Sequence, residues 1–124
     1  MPPKISDAEW RVMKLLWDKA PRTANDIVDE LEGAVDWNAQ TIRTLINRLV
    51  QKGAITFEKD GRAYLYYPRV KEREVQRAET RSFVSRVFNG AMKPMIATFL
   101  EETDLSEEDI DELERLLKQK KSTQ

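Results

Sequence analysis

Gln40, Thr44, Asn47 and Gln51 recur along one side of a helical pattern, flanked by Arg43 and Arg48, and no acidic residue interrupts them. Side chains of this kind suit the edges of nucleic-acid bases. Amides pair bidentately with adenine, a threonine methyl meets the thymine methyl, and an arginine forks onto guanine or grips a phosphate. The other side of the same stretch carries Ile42, Leu45, Ile46 and Leu49 at i, i+3, i+4 and i+7, an apolar stripe that faces a core. The spacing predicts a helix that opens at Asn38 and closes at Lys52-Gly53. Any surface helix is polar outside, so this face does not single out nucleic acid by itself.

The next stretch strengthens the reading. Ile55-Thr56-Phe57-Glu58-Lys59 and Arg62-Ala63-Tyr64-Leu65-Tyr66-Tyr67 are rich in β-formers and are separated by Asp60-Gly61, a strong hairpin signal. Pairing Lys59 with Arg62 across that turn sets Phe57 opposite Tyr64 and Ile55 opposite Tyr66. One sheet face is then apolar and the tip cationic, which resembles a wing beside a reading helix; the plainer alternative is that Lys59 and Arg62 keep an edge hairpin from aggregating. Candidate DNA-binding residues are Gln40, Thr41, Arg43, Thr44, Asn47 and Arg48 on the helix, with Lys59 and Arg62 on the wing.

Composition narrows the function classes. The 124 residues carry a net charge of −1, but unevenly. Asn38 to Arg69 holds six basic and two acidic residues, net +4, whereas Glu101 to Leu117 holds nine acidic residues and Arg115, net −8. The acidic segment must face away from a phosphate backbone. With no histidine and no cysteine, the chain has no imidazole or thiolate chemistry for catalysis, metal ligation or disulfides. Ser82, Ser85 and Ser106 lie in helix or cap contexts without a glycine-rich elbow. The expectation is a non-enzyme with no cofactor and no metal. No apolar run approaches the ~20 residues of a spanning helix, so a cytoplasmic protein without membrane insertion is expected.

The elements that position the helix and wing can be read in order. After a short extended tail at Met1 to Lys4, Ser6 and Glu9 form a capping box, with Ile5 placed to staple onto Trp10. The first helix carries Trp10, Met13, Leu16, Trp17 and Ala20 inward, widened by Val12 and Leu15, and stops before Pro21. Thr23 caps a second helix, Ala24 to Glu32, with Ile27, Val28 and Leu31 inward and Gly33 at its end. Trp37 is placed to staple onto Ile42 across the Asn38 cap. Helix, helix, loop, helix, hairpin is the order of a winged helix-turn-helix domain, assigned to residues 1–69.

Residues 70–124 read as three further helices. The first, Lys71 to Asn89, has Val75 and Ala78 early and Phe83, Val84, Val87 and Phe88 late, and Asn89-Gly90 breaks it. The second carries Met92, Met95, Ile96, Phe99 and Leu100. The third opens at Ser106 and carries Ile110, Leu113, Leu116 and Leu117. Apolar stripes that follow a domain with its own core need something to bury against, and a second copy of the chain is the economical answer. The candidate dimerisation residues are Phe83, Val84, Val87, Phe88, Met95, Ile96, Phe99, Leu100, Leu113, Leu116 and Leu117. The fold class is therefore mainly α with a small β-hairpin, a winged helix-turn-helix followed by dimerisation helices. Two other functions fit the same residues: a winged helix used for protein docking, and a regulator with a ligand pocket in the C-terminal helices.

Several motifs coincide in order and spacing: Ile5-Ser6-Asp7-Ala8-Glu9-Trp10, Val12-Met13, Leu16-Trp17, Thr23-Ala24-Asn25, Asp36-Trp37, Thr41-Ile42-Arg43-Thr44-Leu45, Arg48-Leu49-Val50, Lys52-Gly53, Gly61-Arg62 and Tyr66-Tyr67-Pro68. In these the chain resembles the penicillinase and methicillin-resistance repressor family (BlaI/MecI/CopY) over nearly its whole length. The resemblance implies a homodimeric repressor on a palindromic double-stranded operator, with the third helix in the major groove and the C-terminal helices forming the dimer. It matches Arg43 and Thr44 to reading-helix positions and Arg62 to the wing arginine. The family's copper-responsive branch carries a cysteine-rich tail; Lys118 to Gln124 has no cysteine, so copper sensing by that route is not expected. The antibiotic-responsive branch is cut by a membrane-bound sensor protease at an Asn-Phe bond. Here the matching pair is Thr98-Phe99, so the position of the cut carries over while its asparagine does not.

Overall fold

The computed structural model describes residues 2–123. Met1 and Gln124, the outer ends of the expected tail and of the last segment, lie outside the described residues. The element order is α1 (Asp7–Asp18), α2 (Ala24–Glu32), α3 (Ala39–Lys52), β1 (Ile55–Asp60), β2 (Ala63–Pro68), α4 (Glu72–Phe88), α5 (Met92–Glu102) and α6 (Glu107–Ser122). By compactness the chain divides into residues 1–80 and 81–124.

Local chemistry accounts for the helix starts. The Glu9 N–H donates to Ser6 Oγ at 3.2 Å and the Ser6 N–H returns to Glu9 Oε1 at 2.8 Å, closing the capping box of α1. Thr23 and Asp26 repeat the device at α2, with bonds of 3.0 and 3.1 Å. The backbone N–H of Thr23 and its hydroxyl hold the exposed Asp26 carboxyl below its ordinary range, so it stays ionised at the positive end of the helix. Asn38 caps α3 by accepting from the Thr41 N–H at 2.8 Å. Gly53, at φ +79°, ends α3 in the left-handed conformation that a side chain disfavours.

The core of the first unit is one cluster. Val12, Met13 and Leu16 of α1, Ile27, Val28 and Leu31 of α2, and Ile42, Leu45, Ile46 and Leu49 of α3 are all buried, joined by Ile5, Ala54, Ile55 and Tyr66. Trp10, Trp17 and Trp37 pack around it half-buried, and the Trp10 and Trp17 rings meet edge to face at 5.5 Å. α1 ends at Asp18, two residues short of Ala20, which is exposed rather than inward. The Lys19 N–H closes the last turn on Leu15, and the chain then leaves the helix in extended conformation.

The first unit extends beyond Arg69, the expected boundary. Val75 belongs to its core cluster and Val70 packs against it, half-buried. The Trp17 indole N–H donates to the Val70 carbonyl at 2.9 Å, and Lys14 pairs with Glu72 at 2.6 Å. The opening turns of α4 thus complete the winged-helix core.

The hairpin register differs from the expected one by two residues. Asp60 pairs with Ala63, Lys59 with Tyr64, Phe57 with Tyr66 and Ile55 with Pro68, so the turn residues are Gly61 and Arg62. Asp60-Gly61 as the turn would require left-handed backbone at Asp60. With the turn moved one position on, glycine takes that conformation at φ +65° and Arg62 stands on the tip. A two-residue slip preserves the faces. Phe57 therefore still meets Tyr64, now diagonally, with ring centroids 4.9 Å apart, and Tyr66 at 5.9 Å.

In the second unit α4 ends where Asn89 (φ 52°) and Gly90 (φ 82°) both adopt left-handed backbone. Ser106 and Asp109 cap α6 reciprocally at 3.0 and 3.2 Å. Among the described residues no helix is long and apolar enough to cross a membrane.

Candidate nucleic-acid interface

The face of α3 opposite the core is open. Gln40, Thr41, Arg43, Asn47, Arg48 and Gln51 are exposed and Thr44 is half-exposed. Thr44 turns its hydroxyl back onto the Gln40 carbonyl at 2.9 Å, which leaves its methyl group as the chemistry it can offer outward. Arg43 donates from Nη2 to Asn25 Oδ1 of α2 at 2.7 Å. A cleft of about 220 Å³ opens beside it, lined by Thr23, Ala24, Asn25, Arg43, Arg62, Ala63, Tyr64 and Tyr66. The start of α2, Arg43 of α3 and the wing therefore share one concavity.

The cations of α3 and the wing differ in their partners. Lys14, Arg22, Lys52 and Arg115 are paired with carboxylates. Arg43, Arg48, Lys59 and Arg62 make no ion pair among the described residues. These four sit on α3 and the wing, and a cation whose charge no internal carboxylate cancels is available to a phosphate or a base. Burial raises the Tyr66 hydroxyl above its ordinary value, with Tyr64 adding to the rise and Arg43 opposing it; Tyr66 remains a neutral donor near pH 7.

Two buried charged residues, Glu9 and Arg22, tie the elements around this face together through partners distant in sequence. Glu9 is buried, closes the α1 capping box and also takes the ammonium of Lys52 from the end of α3. Burial alone would raise its pKa, but the bonds from Lys52 and from the Ser6 backbone and hydroxyl outweigh it and hold Glu9 below its ordinary value. Lys52 also donates to the Lys4 carbonyl at 2.9 Å. Arg22 lies buried between α1 and the hairpin. Its Nε donates to the Leu15 and Lys19 carbonyls at 3.0 and 2.9 Å, its guanidinium pairs with Glu30, and its backbone bridges to Tyr66 through bonds of 3.3 and 2.9 Å. That isolated bridge ties β2 to the loop between α1 and α2.

In the second unit Phe83, Val87, Ile96, Phe99, Leu100, Leu116 and Leu117 are 41–66% exposed. Phe88, Met95 and Leu113 are half-buried, whereas Val84 is buried already and takes no part in the exposed face. Phe83, Phe88, Met95, Ile96, Thr98 and Phe99 line an apolar groove of about 360 Å³. Thr98 and Phe99 are exposed within α5, and the Thr98 hydroxyl bonds the Pro94 carbonyl at 2.8 Å.

Three helices packed with a short antiparallel wing, one helix presenting an exposed polar and cationic face, define a winged helix-turn-helix protein of the DNA-binding class. The penicillinase repressor family model matches residues 5–119, and the chain belongs to that family of transcriptional repressors, which makes it a regulator and not an enzyme. It is 38% identical to the methicillin resistance regulatory protein MecI of Staphylococcus aureus (strain N315), over 94% of this chain and 95% of that one. It is also 38% identical to the penicillinase repressor of Bacillus licheniformis, over 97% and 94%. The solution structure of the B. licheniformis BlaI monomeric form in complex with the blaP half-operator matches with a TM-score of 0.54 and 38% identity, covering 60% of this chain and 90% of that one.

Proposed function

We propose that this chain is a cytoplasmic homodimeric repressor that occupies a palindromic operator, with α3 in the major groove and the wing on the flanking backbone. The observation that carries the reading is the set of four cations without an ion pair among the described residues, Arg43, Arg48, Lys59 and Arg62, the two on α3 standing among exposed amides and threonines. In this reading Arg43, Thr44, Gln40 and Asn47 meet base edges, while Thr41, Arg48, Lys59 and Arg62 hold sugar and phosphate. The relative solved with a half-operator supports one reading unit per half-site.

The exposed apolar side chains of α4 to α6 support a second copy of the chain as their cover, with Phe83, Val87, Ile96, Phe99, Leu100, Leu116 and Leu117 at the contact and Phe88, Met95 and Leu113 at its margin. Induction by a membrane-bound sensor protease at Thr98-Phe99 belongs to the same reading. A cut there detaches Phe99, Leu100 and all of α6, weakening the dimer while every DNA contact stays intact. Selecting bound sites from random DNA tests the proposal. Enrichment of one two-fold symmetric sequence, bound by two copies, is expected; recovery of no common sequence overturns it.

A further inference from the structure

Arg43 reaches the cleft already tethered. Its Nη2 donates to Asn25 Oδ1 at 2.7 Å, and Asn25 stands in the first turn of α2, which the reciprocal Thr23–Asp26 bonds hold in place. Both residues are exposed and line the same concavity as Arg62. We propose that Asn25 is a positioning residue for operator reading: it sets the plane and reach of the Arg43 guanidinium and so fixes discrimination at one operator position.

This inference rests on the reading of Arg43 as a base-contacting residue. A long free side chain loses rotamer freedom when it docks, whereas one already held has lost most of it beforehand. The acceptor chosen is a neutral amide oxygen. It takes one N–H of the guanidinium and leaves the other donors for a bidentate fork, and it leaves the positive charge uncancelled. A carboxylate at the same place would hold the arginine as well but would oppose the phosphates beside it. The carboxylate that follows, Asp26, is turned back onto Thr23.

The test measures affinity of the full chain for the selected operator and for each single-base variant, in Asn25→Ala, Asn25→Asp, Arg43→Ala and the Asn25→Ala/Arg43→Ala pair. Asn25→Ala is expected to lose about three- to tenfold of discrimination, the scale of one hydrogen bond, at the position that Arg43→Ala also relaxes. The salt slope and unfolding midpoint should be unchanged, and in the Arg43→Ala background Asn25→Ala should cost nothing further at that position. Asn25→Asp keeps an acceptor oxygen, so it should restore the discrimination while weakening binding to every sequence. Unchanged discrimination in Asn25→Ala, or an equal loss at all positions, overturns the positioning role and leaves base reading by Arg43 standing. A uniform loss in Arg43→Ala overturns both.

Discussion

Ending the chain after Arg69 instead of after Thr80 should weaken the winged-helix core by an amount the contacts specify. Val75 is 3% exposed, and burying a valine contributes about 1.5–3 kcal/mol. The Trp17 indole loses its Val70 acceptor at 2.9 Å, about 1 kcal/mol. The exposed Lys14–Glu72 pair adds less than about 1 kcal/mol. Together these come to about 3–5 kcal/mol, a large share of the roughly 5–15 kcal/mol that holds a small domain. Urea titration followed by the fluorescence of Trp10, Trp17 and Trp37 reads the difference directly. With a slope of about 1–3 kcal/mol per molar, the fragment ending at Thr80 should unfold roughly 1–5 M later than the one ending at Arg69. Its half-site affinity should survive, while the advantage of linking two reading units, about 10²–10⁴, is lost in both fragments. Coincident midpoints would refute the inclusion of α4's opening turns in the core.

Arg43→Ala should relax discrimination at one operator position and cost about 1–3 kcal/mol there, whereas Arg62→Ala should weaken operator and random DNA alike; titration of both DNAs separates them. A chain ending at Thr98 should sediment as a monomer at concentrations where the full chain is dimeric and should bind the operator far more weakly; a dimer with full affinity excludes a switch at this bond. The fold lowers the pKa of Glu9 from about 4.5, so its stabilisation is complete above that value and is lost as pH falls through the lower folded value. Glu9→Gln should lower stability at pH 7 by about 1–2 kcal/mol, after allowance for solvent at the Lys52 end, and should flatten the decline below about pH 4.5, as chemical denaturation across pH would reveal.

The helices of the first unit could be read from local signals because each carries its own start and stop: Ser6 with Glu9, Thr23 before Ala24, Asn38 and Gly53. The core positions followed from the 3.6-residue stripes. What the sequence hid are contacts whose partners lie far apart in the chain. Glu9 was legible as a capping residue, but nothing local ties it to Lys52, which is 43 residues away. No local pattern marks Arg22, which follows Pro21, as buried, because its burial depends on Tyr66 arriving from β2. Asp-Gly is a strong local turn signal, yet the strands pair with Gly61 first in the turn and Arg62 beside it. Of the candidate interface, the exposed polar side of α3 and the place of Arg62 at the hairpin tip were legible. The bond from Arg43 to Asn25 was not, since it depends on how α2 meets α3.

The salt dependence of binding to the selected operator, with stoichiometry measured in the same titration, bears most directly on the proposal that unpaired cations of α3 and the wing grip DNA in two copies. Four such cations per copy allow up to about eight phosphate contacts, and with some of them spent on bases the slope of log affinity against log salt should fall between about −4 and −7, with two chains per operator. A slope near zero, or equal affinity for operator and scrambled DNA, would contradict the account.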